Sequence, residues 1–80
     1  MISRKPKLIQ VPFLEAFGAR IRAEREAHGL SQETLARYVG IDPATMSRIE
    51  AGHIDITIRR AAEIAIQLGA ELHELMEGLL

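Results

Sequence analysis

The sequence predicts an all-α fold of five short helices in a single domain. Three observations lead there. Apolar residues recur at three- and four-residue spacing from Phe13 to Leu79. Residues that open helices (Ser31, Asp42-Pro43, Thr57) alternate with glycines that close them (Gly29, Gly40, Gly52, Gly69). The one stretch that alternates at period two, His53 to Ile58, has no partner strand and reads as a loop entering a helix.

Residues 1–11 lack a helical period and contain Pro6. They read as a basic arm carrying Arg4, Lys5 and Lys7, either a solvated tail or a segment that touches phosphate. The domain proper is expected over residues 12–80. Pro12 suits a first helical turn, and Phe13, Phe17 and Ile21 follow every four residues, with Arg20, Arg22, Glu24, Arg25 and Glu26 on the other face. Gly29 supplies the left-handed residue that ends this helix. Ser31 caps a second helix with Leu35, Ala36 and Val39 as its buried stripe, ended by Gly40. Asp42 caps a third, with Pro43 at its first position and Met46 and Ile49 inward. Thr57 caps a fourth, with Ile58, Ala61, Ala62, Ala65 and Leu68 expected inward. A fifth begins near Glu71 and carries Leu72, Leu75, Met76 and Leu79.

Composition narrows the function. Eighty residues are expected to make one domain with a marginal core, leaving no room for a separate ligand or catalytic domain. With no cysteine, disulfides and thiolate metal sites are excluded, which fits a reducing cytoplasm and leaves self-association as the route to extra stability. No secretory leader or membrane span is expected. The net charge of −1 is unevenly spread. Residues 1–25 hold six basic and two acidic side chains, whereas residues 51–80 hold two basic and five acidic ones. One face can still meet phosphates.

Offsets within residues 30–50 carry the most information. Ala36 provides a small side chain where two helices cross, and Gly40 tolerates the positive φ of a sharp turn. Met46 and Ile49 then pack the third helix onto the second, with Leu30 and Leu35 completing the contact. The outer face of the third helix is left to solvent, available to a DNA major groove.

The stretch GLSQETLARYVGIDPATMSRIEAG resembles the helix-turn-helix of the Cro and phage-repressor family of bacterial and phage regulators. The resemblance runs without a gap from about Phe17 to Leu75 and implies a five-helix, lambda-repressor-like domain. In size the chain is also similar to the controller proteins of restriction–modification systems. The resemblance further implies an ion pair between Arg25 and Glu50, joining the first and third helices. By the same resemblance, residues 43, 44, 47 and 48 reach base edges.

The expected partner is therefore double-stranded DNA. Arg48 is the foremost base reader, because a guanidinium bonds guanine O6 and N7 together; a phosphate contact and a solvated charge are its alternatives. Thr45 and Ser47 suit phosphate or a base edge, whereas Pro43 and Ala44 offer apolar contact alone. Direct readout is thus thin, and DNA shape would carry much of the specificity. Gln32 and the Ser31 cap beside it are DNA-contact candidates at the start of the second helix, where a phosphate oxygen is suited, with ordinary helix-start chemistry as the alternative. Arg37, Arg59, Arg60 and His53 are further phosphate candidates, each with a solvated alternative.

Related proteins bind as two-fold dimers on half-sites about one helical turn apart. Ile66, Leu72, Leu75, Met76, Leu79 and Leu80 make the C-terminal third more apolar than one small core requires, so a homodimer through the fifth helix is expected. The alternative is that these residues close their own core. A protein-interaction module of the same fold, such as an antitoxin bound to a toxin, is the competing function. An enzyme is not expected: His28, His53 and His73 are scattered, and Glu71, Glu74 and Glu77 read as a solvated face. No catalytic group, cofactor or metal is implied.

Overall fold

The computed structural model describes residues 13–79. The arm of residues 1–11, Pro12 and Leu80 lie outside the described residues. Five helices follow one another: α1 (Phe13–Ala27), α2 (Gln32–Val39), α3 (Pro43–Ala51), α4 (Ile58–Gln67) and α5 (Leu72–Met76). Among the described residues there is no strand, and His53 to Thr57 is a connector.

The caps form as local chemistry dictates. The Ser31 hydroxyl accepts from the Thr34 N–H at 3.0 Å, the Asp42 carboxylate from the Thr45 N–H at 2.6 Å, and the Thr57 hydroxyl from the Arg60 N–H at 3.0 Å. Each satisfies a helix-start N–H that has no partner within its own helix. Gly40 ends α2 at φ 80° and its N–H bonds back to the Ala36 and Arg37 carbonyls. A side chain at such a φ is strained, so glycine permits the tight turn into α3.

α1 packs against α3 and α5, α2 against α3 and α4, and α4 against α5. Between them lies one core: Phe17, Ile21, Leu35, Ala36, Met46, Ile49, Ala61, Ile64, Ala65, Leu68 and Leu75. Leu30 and Val39 pack against it from its edge.

One stripe differs from the sequence expectation. On α4 the buried residues are Ala61, Ile64, Ala65 and Leu68. Ile58, expected inward, is 81% exposed. It occupies the first helical position, where the Cα–Cβ bond tilts toward the helix N-terminus and carries the side chain past the edge of the core. Ala62, also expected inward, is half-buried, and Ile64 takes the central place.

Gly18 provides a close approach that periodicity does not show. A Cβ built there would collide with the Ile49 carbonyl oxygen and lie 2.5 Å from that of Glu50. The absent side chain lets α1 rest directly on the carbonyl end of α3. No helix among the described residues is long and apolar enough to cross a membrane.

Candidate nucleic-acid interface

The α2–turn–α3 unit is fixed from beneath by a buried polar network. Arg25 Nε donates to Glu50 Oε2 at 2.7 Å, and Nη2 donates to Oε1 at 3.1 Å. The paired side chains are 8% and 2% exposed. Arg25 Nη1 also donates to the Leu30 carbonyl at 2.6 Å, and Gln32 Nε2 donates to Glu50 Oε1 at 2.8 Å. Four points therefore converge on one carboxylate and one guanidinium: α1, the loop before α2, the start of α2, and the end of α3. The hydrogen bonds it donates to Glu50 hold the Arg25 guanidinium more firmly protonated than usual, against the opposing cost of burial. Among the described residues no buried side-chain nitrogen or oxygen lacks a partner.

Above this network lies the outer face of α3. Pro43, Ala44, Ser47 and Arg48 are exposed along it, and Thr45 is half-buried with its N–H held by Asp42. The Asp42 carboxyl lies below the usual aspartate range, chiefly because the Thr45 backbone N–H donates to it. The Thr45 hydroxyl and the charge of Arg48 act in the same direction. At the start of α2, the Ser31 hydroxyl is committed to its cap and also donates to Thr34 Oγ1 at 2.9 Å. One amide hydrogen of Gln32 is engaged by Glu50, which leaves the second to point elsewhere.

The surface cations divide into two kinds. Arg37 is exposed and only loosely paired, 4.0 Å from Glu33. Arg59 is exposed as well. Arg60 is committed inward: its Nη1 donates to the Val39 carbonyl at 2.8 Å and lies 3.3 Å from Glu63. It closes the end of α2. His53 is exposed, and its N–H bonds the Arg48 carbonyl at the end of α3.

The residues expected at a dimer interface also divide. Leu75 is 1% exposed and belongs to the core of its own chain, so it has no surface to give a partner. Leu72, Met76 and Leu79 pack at the core's edge, half-buried. Ile66 is 71% exposed. It shares one side of α4 with the exposed Ile58, eight residues earlier, and the half-buried Ala62 lies between them. Ile58 also borders an apolar groove of about 90 Å³ whose walls include Phe13, Phe17, Leu72 and Met76. Among the described residues no group of three His, Asp or Glu side chains could hold a metal ion.

Comparisons with known proteins place this geometry. A family profile described as helix-turn-helix matches residues 21–75. The HTH-type transcriptional repressor RghR of Bacillus subtilis is 41% identical over 54 residues, which are 62% of this chain and 40% of that protein. The chain thus spans about two fifths of the length of that curated relative. The restriction–modification controller protein C.AhdI from Aeromonas hydrophila superposes with a TM-score of 0.75 at 39% identity, over 78% of this chain and 94% of that one. The clp gene regulator ClgR from C. glutamicum gives a TM-score of 0.81 at 26% identity, over 88% and 90% of the two chains.

Proposed function

The chain belongs to the Cro/phage-repressor type of the helix-turn-helix family, whose members are DNA-binding transcription regulators, and from that premise we propose that it regulates transcription as a homodimer, each protomer laying α3 in the major groove of one operator half-site. One observation carries this reading. The exposed face of α3 stands on a buried ion pair that fixes its angle to α1 and α2, as a rigid reading head requires.

In this reading Arg48 bonds a base edge, and Pro43 and Ala44 make apolar contact, for instance with a thymine methyl. Ser47 and Thr45 bond a base edge or the backbone. Gln32 places its free Nε2 hydrogen on a phosphate while Glu50 accepts the other hydrogen of the same nitrogen, and backbone amides at the start of a helix suit the same anion. Ser31 contributes by holding that helix start in place. Arg37 and Arg59 add phosphate contacts from the flanks. Arg60, tied to Val39, serves the fold instead. Ile58, Ile66, Leu72, Met76 and Leu79 supply the apolar surface between protomers.

Selection from a random DNA pool followed by footprinting tests the reading. Two inverted half-sites about one helical turn apart are expected. Recovery of a single asymmetric site, or of none, would sink it. On the selected duplex, Arg48→Ala should weaken binding by about 1–3 kcal/mol while binding to random DNA falls much less. Equal loss on both duplexes would remove Arg48 from base reading.

A further inference from the structure

We infer that Arg20 is a positioning residue that latches α5 to α1 and thereby sets the distance between the two recognition helices of the dimer. The inference rests on the dimer reading above. Arg20 sits half-buried on α1 and reaches across to the end of α5. Its Nη1 donates to the Glu74 carbonyl at 3.2 Å and to the Leu75 carbonyl at 3.4 Å; its Nη2 donates to the Glu77 carbonyl at 3.1 Å. Among the described residues no carboxylate lies within ion-pair distance of it. The guanidinium is therefore given over to main-chain carbonyls 54 to 57 residues away.

α5 needs such a latch. It has five residues, too few to hold helical form unaided. Glu74 closes its start, accepting from the Glu71 N–H at 2.7 Å. Its end differs from those of α2 and α3: Glu77 leaves it in extended backbone at φ −60°, ψ 129°, and the left-handed Gly78 comes one residue later, in a turn that returns the Leu79 N–H to the Met76 carbonyl. Leu75 is its one fully buried side chain, and a single anchor fixes position better than direction. A planar fork of donors on three carbonyls at the end of the helix, those of Glu74, Leu75 and Glu77, fixes direction.

The placement on α1 gives the latch its consequence. One and a half turns further along the same helix, Arg25 grips Glu50 of α3. Between α1 and α3 the backbones meet at Gly18. α1 is thus a strut with the dimer helix fastened at one point and the recognition helix at another. If α5 tilts, the two-fold axis tilts with it, and the recognition helices change separation. Arg20 touches no DNA in this scheme, yet it decides how strictly half-site spacing is read.

The test uses the full chain as wild type, Arg20→Gln and Arg20→Lys. Each is bound to duplexes with one half-site, with two at the selected spacing, and with two displaced by one or two base pairs. Arg20→Gln should bind the single half-site within about twofold of wild type, but lose about tenfold on the paired site and most of its preference for the selected spacing. Arg20→Lys, which keeps the charge without the fork, should fall between. Hydrogen exchange at the α5 amides should quicken in the same order. Wild-type spacing preference in Arg20→Gln overturns the inference, and so does equal loss on single and paired sites, which marks a mere loss of fold. If wild type gains nothing from a second half-site, the dimer reading itself fails, and this inference with it.

Discussion

The Glu50 carboxylate accepts three hydrogen bonds, two from Arg25 and one from Gln32, while its side chain is 2% exposed. Two charges so far from water are held by geometry, because desolvation offsets most of their Coulomb attraction. The pair is therefore better understood as fixing one orientation than as adding net stability. Removing one partner leaves the other charged and buried. Arg25→Met or Glu50→Leu alone should cost about 3–5 kcal/mol in denaturant unfolding, and the double variant clearly less than either single. Additive losses in that cycle would refute the account. The pairing of Arg25 with Glu50 entered the sequence reading through family resemblance, since nothing in the spacing of two charges 25 residues apart announces a contact. The bond between Gln32 and Glu50 was not legible at all, because an amide at a helix start suits a phosphate equally well.

At the scale of the helix, ends were more legible than faces. Ser31, Asp42 and Thr57 cap because their short polar chains reach a nearby N–H, a rule that needs no tertiary knowledge. Asp42 adds a pH dependence with a definite sign. The Thr45 N–H holds its carboxyl below the usual range, so the ionised form is favoured in the fold. Its contribution is full above about pH 4, the ordinary aspartate value, and is lost as pH falls through the lower native one. Asn at this position accepts the same N–H without titrating. Thermal midpoints followed by circular dichroism from neutral to strongly acid pH should therefore fall less steeply below about pH 4 in Asp42→Asn than in wild type. Superimposable acid limbs would show that Asp42 contributes nothing to the dependence. Faces depend on neighbours and were read less well. Ile58 fits the inward spacing of α4 but falls beyond the core's edge, and nothing in the periodicity singles out Gly18, although a Cβ there would run into α3 carbonyls. Gly18→Ala should destabilise by about 1–3 kcal/mol even though alanine is the better helix former, because carbonyl oxygens rather than flexible side chains stand in its way. A neutral or stabilising effect in urea would mean that the helices separate without cost.

For the molecule as a whole, a net charge of −1 gives no general attraction to DNA. In the proposed dimer, affinity comes from a localised face and from the pairing of two such faces. Both can be tested together through salt. Each phosphate neutralised by a protomer contributes about −0.9 to the slope of log affinity against log salt on duplex DNA. A dimer on a paired site makes each protomer's contacts twice. Ile66, which is 71% exposed, stands outside the core, so Ile66→Lys should leave the melting transition of the protomer nearly unchanged while sedimentation equilibrium at tens of micromolar shows a monomer. That monomer on a single half-site should then give about half the salt slope of wild type on the paired site. Arg37→Ala and Arg59→Ala should each lower the wild-type slope by about two phosphates' worth, one per protomer, without altering the selected sequence. A wild-type slope equal to that of Ile66→Lys would mean that one protomer makes all the phosphate contacts, and the paired arrangement of recognition helices would have to be given up.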